Sequence, residues 1–193
     1  GFVYVVSINN GIAAFSINAA TGALSPVVGS PFAAGSGSVG GITINAAGTI
    51  AYVAGGSSAT VSSISAFAIN STSGALTAVA GSPFSAGSYA TEVTIDPTGR
   101  FAYIPNELSN TVSAYTVNSS TGALAPVAGR PYTVGNGPRS VTVDPSGTFA
   151  YVTNDNDNSI SIFEINTATG VLTQASGSPY TGQLWGPWSM TFY

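Results

Sequence analysis

Apolar and polar residues alternate along several short stretches of the chain, most clearly between residues 147 and 166. In GTFAYVTNDNDNSISIFEIN, two alternating segments, 149–153 and 159–165, flank a polar loop of Asn and Asp. A period of two residues indicates a β-strand, because successive side chains of a strand point to opposite faces. Both faces of these segments are substantially apolar, as in a sheet that packs between two others. The pattern predicts a β-hairpin buried on both sides.

The same hairpin recurs three more times, as GFVYVVSINNGIAAFSIN, GTIAYVAGGSSATVSSISAFAIN and GRFAYIPNELSNTVSAYTVN. The Tyr of its first strand lies at positions spaced by 48, 51 and 48 residues: Tyr4, Tyr52, Tyr103 and Tyr151. A short alternating segment precedes each later hairpin, as at 140–144, and another follows, as at 171–175. Four-stranded units repeated every 40–50 residues or so are typical of a β-propeller. The predicted fold is all-β, a β-propeller with four antiparallel blades of four strands.

The repeats divide the chain into blades of about 1–47, 48–98, 99–146 and 147–193 within a single propeller, 1–193. The first repeat begins at its second strand, and residues 189–193 align with the first strand of a blade. We therefore expect the C-terminal strand to complete the first blade, which would hide two sheet edges. Three assemblies remain open: a four-bladed ring, an eight-bladed ring of two copies, or part of a longer propeller.

One repeat resembles a known family. The segment FAYVTN at 149–154 follows the turn DPSG at 144–147 and precedes TGVL at 169–172. It resembles the YVTN repeat of bacterial surface-layer-like proteins and of lactonase-type seven-bladed propellers related to 6-phosphogluconolactonase. The resemblance extends over essentially the whole chain. It implies a propeller, and it leaves the activity open because one fold hosts many functions.

Charge is scarce in this chain. It has three Arg, seven carboxylates, no Lys, no His and no Cys, for a net charge of −4. This composition argues against a nucleic-acid or anionic-membrane partner, since both require clusters of Lys and Arg. No apolar run is long enough to span a bilayer. A surface of Ser, Thr, Asn and Gly is typical of an extracellular or cell-surface protein, which the resemblance would make bacterial.

Candidate binding residues lie in the irregular loops that should share one face of the propeller. Arg139 precedes a first strand, where it could bind a carboxylate or phosphate, and Glu92 precedes the first strand one blade earlier. The simpler interpretation is an Arg139–Glu92 surface ion pair, which would contribute little. Trp185 and Trp188 could form a platform for a sugar ring or could plug the ring at its closing blade. Tyr89 is a further aromatic candidate.

A metal site has weak support. The loop at 154–158 is rich in oxygen donors, and Asp155 and Asp157 could bind Ca²⁺. The loop lacks the Gly and the terminal Glu of an EF-hand, so we expect a solvated turn and no cofactor.

Catalysis meets an obstacle in the composition. Without His or Cys the chain cannot form a Ser–His, Cys–His or His–metal arrangement. Hydrolysis would have to use carboxylates, and Asp96 and Asp144 belong to Asp-Pro-x-Gly turns on the opposite face. The sequence therefore predicts a structural module, or a module that recognises a glycan or protein, without a catalytic residue. The alternative is a lactonase-type hydrolase of a sugar lactone or ester, with carboxylates at the channel mouth.

Overall fold

The computed structural model describes residues 1–7, 11–34, 39–55 and 62–192. These ranges form strands and turns, and no helix in them could cross a membrane. The strands are β1 (Phe2–Ser7), β2 (Gly11–Ile17), β3 (Leu24–Pro26), β4 (Val39–Ile44), β5 (Ile50–Gly55), β6 (Ser62–Ile69), β7 (Leu76–Ala78), β8 (Phe84–Ala86), β9 (Thr94–Ile95), β10 (Phe101–Asn106), β11 (Thr111–Val117), β12 (Leu124–Pro126), β13 (Tyr132–Thr133), β14 (Pro138–Val143), β15 (Phe149–Asn154), β16 (Ser159–Ile165) and β17 (Leu172–Gln174).

The strands form four antiparallel sheets in chain order, and each sheet is one blade. The sheets are β1-β2-β3, β4-β5-β6-β7, β9-β10-β11-β12 and β14-β15-β16-β17. This arrangement confirms the predicted all-β propeller with four blades. Two short strands that the repeat did not predict, β8 and β13, pair with the third strands of their blades, β6 and β11.

Neighbouring blades pack through the repeated Tyr. The hydroxyls of Tyr4, Tyr52 and Tyr103 donate to carbonyl oxygens of Gly74, Gly122 and Gly170 at 2.9, 2.9 and 3.1 Å. In each pair the Tyr lies in β1, β5 or β10 of one blade. The Gly lies in the turn before the last strand of the next blade. A buried hydroxyl is costly unless it is hydrogen-bonded, so this contact fixes how each blade seats on its neighbour.

The first strands of successive blades are joined by a row of Thr hydroxyls. Thr43, Thr94 and Thr142 donate to the carbonyl oxygens of Val93, Val141 and Met190 at 2.6, 2.7 and 3.0 Å. Residue 190 therefore stands where the first strand of a further blade would lie.

The C-terminal segment differs from the prediction. Residues 189–192 lie beside the fourth blade, where the Phe192 ring is 5.5 Å from the Tyr151 ring. The first blade has the three strands β1, β2 and β3 in the described part of the chain, so the predicted pairing of 189–193 with this blade is not formed there. The described segment is bonded to β14 through Thr142 rather than to the backbone of β1. Tyr193 lies outside the described residues.

Candidate functional site

In the third and fourth blades, the loops before the first strand and between the second and third strands meet at one rim of the propeller. Their direction is set by Asn106 and Asn154, the fully buried last residues of β10 and β15. Asn106 Oδ1 accepts a hydrogen bond from the N–H of Gly87 at 3.0 Å. Asn154 Nδ2 donates to the Ser159 and Ser161 hydroxyls at 3.0 and 2.9 Å. The last residues of β10 and β15 thus anchor the loops that form the rim.

Arg139 reaches this rim because it lies at a β-bulge. The register between β14 and β15 shifts between Pro138 and Ser140, which leaves Arg139 as the extra residue. A bulge bends its strand and redirects one side chain, and bulges are common beside active sites. The Thr91 hydroxyl of the preceding blade holds the Arg139 carbonyl at 2.8 Å. The sequence places Arg139 at the strand, and the bulge turns it toward the rim.

Two carboxylates bind the Arg139 guanidinium. Nη1 lies 2.6 Å from Glu107 Oε2, and Nε lies 3.3 Å from Asp155 Oδ2. The three side chains are 24%, 15% and 23% exposed, so the pairs are partly shielded from water. The expected Arg139–Glu92 pair is therefore replaced by pairs with the two loop carboxylates. Charge-assisted hydrogen bonds of this kind are shorter and stronger than neutral ones.

Trp188 lies over the same guanidinium, with Arg139 Cζ 4.3 Å from its ring centroid. Its side chain is still 64% exposed, and Trp185 is 90% exposed. The structure thus brings Trp188 to Arg139 and leaves Trp185 projecting into solvent. Both rings present open surface on this side of the molecule.

Glu92 lies on the adjacent blade, just before β9. Its Oε1 accepts the Val141 N–H at 2.8 Å, so it contacts the strand that begins beside Arg139. Burial raises the pKa of the Glu92 carboxyl, and hydrogen bonds from Val141, Ser140 and Thr94 partly offset this rise. Glu92 is therefore a half-buried carboxyl that holds a proton more readily than an exposed one.

Tyr89 contributes to the rim through its backbone. It has a positive φ of 57°, and its carbonyl accepts the Glu107 N–H at 2.9 Å. Its side chain is half-buried. Tyr89 thus braces the loop that presents Glu107 to Arg139.

Asp157 belongs to a polar network beside the ion pairs of Arg139. Its carboxylate accepts the backbone N–H of Asn136 at 2.6 Å and the Asn136 amide at 2.7 Å. Asn110 links the same loops by donating to Asn136 Oδ1 at 2.9 Å. In the described ranges no three acidic side chains are grouped to hold a metal ion. Asp155 and Asp157 accept hydrogen bonds, and a solvated turn without a cofactor stays a prediction.

Sequence reasoning missed the pairing of Glu107 with Arg139 and the roles of Asn110 and Asn136. Glu107 is one of the carboxylates available for hydrolysis, but it lies 32 residues from Arg139 along the chain. The only local signal is that the loop at 107–110, ELSN, differs from the Asn/Asp and Gly/Ser loops of other repeats. A separate cavity of about 210 Å³ between the second and third blades lies on the opposite face, against turn residues such as Asn45, Pro97 and Asn118.

The four sheets and their order define a β-propeller. The chain belongs to the family described as "Lactonase, 7-bladed beta-propeller", whose model matches residues 4–184. A comparison with curated proteins finds no significant match.

Solved structures agree with this class at the level of the fold. A candidate 6-phosphogluconolactonase from Bacteroides uniformis has a TM-score of 0.78 and 19% identity, over 95% of this chain and 55% of that one. The periplasmic gluconolactonase PpgL of Pseudomonas aeruginosa has a TM-score of 0.72 and 21% identity, over 90% and 52%. A candidate 6-phosphogluconolactonase from Bacteroides fragilis has a TM-score of 0.68 and 22% identity, over 90% of this chain and 53% of that one. The chain therefore spans about half the length of these proteins.

These findings correct the functional prediction. Scarce ionisable groups and similar repeats led to a structural or recognition module without catalysis, and that prediction is wrong. Membership of the lactonase family favours the alternative, a lactonase-type hydrolase. The sequence argument failed because it counted ionisable groups over the whole chain. Four of the seven carboxylates, Glu92, Glu107, Asp155 and Asp157, are gathered at one rim with Arg139.

Proposed function

We propose that this rim hydrolyses the ester bond of a sugar lactone. The observation on which the proposal rests is that Glu92, with its raised pKa, lies on the blade next to Arg139 at one end of the propeller. Membership of the lactonase family supports the reaction class. The reaction adds water to the lactone carbonyl and opens the ring to a hydroxy acid.

Glu92 is the proposed general base. A base works best when its pKa lies near the working pH, and burial moves the pKa of this carboxyl in that direction. The ionised carboxylate takes a proton from water as the water oxygen bonds to the carbonyl carbon. When the ring C–O bond breaks, the same proton passes to the departing ring oxygen, which becomes a hydroxyl. No His or Cys is needed for these steps.

Arg139 is the proposed stabiliser of the oxyanion that forms on the carbonyl oxygen. A guanidinium has five N–H donors, and the ion pairs with Glu107 and Asp155 engage Nη1 and Nε. The remaining donors can serve a substrate without breaking either pair. Donors fixed in advance stabilise a developing charge more than mobile ones, and two carboxylates fix this guanidinium. Trp188, Trp185 and Tyr89 would line the sugar-binding surface.

Hydrolysis of glucono-δ-lactone, followed by base uptake at constant pH, tests the proposal. We expect a rate above the spontaneous reaction, and a loss of about 10²-fold or more in Glu92→Gln, as for removal of a general base. Glu164→Gln is the matched control, because Glu164 is an exposed carboxylate of β16 away from the rim. A wild-type rate equal to the spontaneous one, or equal losses in both variants, would refute the proposal.

We also propose that the repeats are of the YVTN type and that the protein works outside the cytoplasm, in a bacterium. A surface rich in Ser, Thr, Asn and Gly supports this location, as does the likeness in fold to a periplasmic gluconolactonase. Fractionation of the source cells would test it, and recovery of the protein only with cytoplasmic markers would contradict it.

Finally, we propose that a second copy of the chain, or blades of a longer chain, continues this propeller. The surroundings of one repeated turn, the turn before the last strand of each blade, support this proposal. A Cβ at Gly22 would meet nothing within 4 Å, whereas one at Gly74 or Gly170 would meet the ring of Phe2 or Phe101 of the preceding blade. Light scattering distinguishes one copy of this chain from two, since 19.1 kDa is the mass of one copy.

A further inference from the structure

The distribution of charge at the rim restricts the substrate. All ten charged side chains of the sequence lie in the described residues. The rim has four carboxylates and one Arg, for a net charge of −3 when all are ionised. The other two Arg lie elsewhere, where Arg100 contacts Phe101 and Arg130 contacts Tyr115. The net negative charge of the rim would repel an anionic substrate.

Most donors at the rim are already bound to protein acceptors, and the spare donors of Arg139 belong to a guanidinium whose charge two carboxylates offset. Arg139 is paired with Glu107 and Asp155. The backbone N–H and side-chain amide of Asn136 both donate to Asp157. The N–H of Gly137 donates to Asn110 Oδ1 at 3.0 Å. A phosphate group brings close to two negative charges at neutral pH and is usually bound by unengaged Arg, Lys or backbone N–H groups.

A neutral sugar suits the same surface. Its hydroxyls are hydrogen-bond donors, and carboxylate oxygens are acceptors only, so the rim offers what the sugar needs. The exposed rings of Trp188 and Trp185 supply apolar area for the C–H face of a sugar. One Arg held between two carboxylates retains spare N–H donors for a carbonyl oxygen without presenting a net positive site.

We propose that the substrate is an uncharged aldonolactone, and that Glu107 and Asp155 exclude phosphorylated lactones by neutralising Arg139. This inference rests on the lactonase function proposed above and adds the charge class of the substrate. Glu107 and Asp155 are thus determinants of specificity, acting through the guanidinium.

The first test compares kcat/KM for glucono-δ-lactone and 6-phosphoglucono-δ-lactone. We expect a preference of at least about 10-fold for the neutral lactone at low salt, and a smaller one at 1 M salt, where screening acts within about 3 Å. In Glu107→Gln and Asp155→Asn the preference should fall about 10-fold, because Arg139 gains net charge. Glu164→Gln should leave it unchanged. A preference for the phosphorylated lactone, or one that neither rim variant alters, would overturn the inference.

A binding experiment separates this inference from the hydrolase proposal. The probes are 1,5-anhydroglucitol and its 6-phosphate, which have no lactone bond, observed by saturation-transfer NMR. Tighter binding of the neutral probe, reduced in preference by Glu107→Gln, supports the charge class even if no lactone is hydrolysed. Binding of neither probe, or tighter binding of the phosphate, refutes it even if glucono-δ-lactone is hydrolysed.

Discussion

The hydroxyl of Tyr52 donates a 2.9 Å hydrogen bond to the carbonyl oxygen of Gly122, across the boundary between the second and third blades. Tyr52 is fully buried, and the equivalent bond recurs at the two other blade boundaries. In the first three repeats, one Tyr thus joins the sheet of its own blade to the turn of the next. Stability and blade orientation both depend on this contact.

Alkaline pH should weaken the Tyr52 contact before the rest of the fold. Burial raises the pKa of Tyr52 from 10.0 to about 12. The folded pKa exceeds the unfolded one, so the contribution to stability is full below about pH 10 and is lost as pH rises toward 12. The free energy of unfolding should fall more steeply over this range in the wild type than in Tyr52→Phe. Parallel curves for the two proteins would contradict the assignment.

The last turn of a blade that packs against a preceding blade should not tolerate a side chain. A Cβ at Gly170 would lie 2.4 Å from the Phe101 ring, whereas one at Gly22 would meet nothing within 4 Å. Both glycines have similar positive φ values, 76° and 72°, so the backbone cost of Ala is matched. Gly170→Ala should therefore lose about 1–3 kcal/mol more than Gly22→Ala in chemical unfolding, the usual cost of overpacking. Equal losses would show that the Phe101 contact contributes little.

Glu92 should lower the stability of the fold, as expected of a residue kept for the proposed hydrolysis. Because burial raises its pKa, the ionised form is disfavoured in the folded state above the ordinary pKa of 4.5. Glu92→Gln should then unfold at equal or higher denaturant concentration than the wild type at pH 7, although its lactone hydrolysis is lost. The stability difference should shrink below pH 4. A marked destabilisation at pH 7 would assign Glu92 to structure instead.

The turns on the opposite face offer a matched test within the chain. Asp144 Oδ1 accepts the N–H groups of Thr148 and Phe149 at 2.8 and 2.7 Å. In the second blade Asn45 Oδ1 accepts the corresponding N–H groups, those of Thr49 and Ile50. Asp144→Ala should cost about 0.5–1.5 kcal/mol, because the partly buried Phe149 N–H and the exposed Thr148 N–H lose their acceptor.

Asp144→Asn is the control for this prediction and should cost less than half as much. Burial alone raises the pKa of Asp144, but hydrogen bonds from Ser146, Phe149 and Thr148 lower it overall. The wild type should accordingly lose this contribution as pH falls through the depressed pKa, and Asp144→Asn should not. The free energy of unfolding measured between pH 2 and pH 7 would show the difference, and identical acid profiles would contradict it.

The sequence by itself determined the blades. The spacing of Tyr4, Tyr52, Tyr103 and Tyr151 and the alternation around them are local properties, and β16 has the bounds that alternation predicts. Turn residues such as Asp144 act on neighbours within five positions, so their role was also readable. Local chemistry was sufficient because each blade is built from strands that follow one another along the chain.

Only the tertiary structure decided the site. Arg139 meets Glu107 and Asp155 because a bulge turns it and because two loops from different blades converge on it. The alternation of β14 gives no sign of the bulge, and a contact over 32 residues leaves none in a single sequence. The repeat pattern alone likewise assigned residues 189–192 to the first blade, whereas they lie against the fourth. Repeats specify each blade and its neighbour, whereas charge pairing and ring closure depend on how several blades are placed together in space.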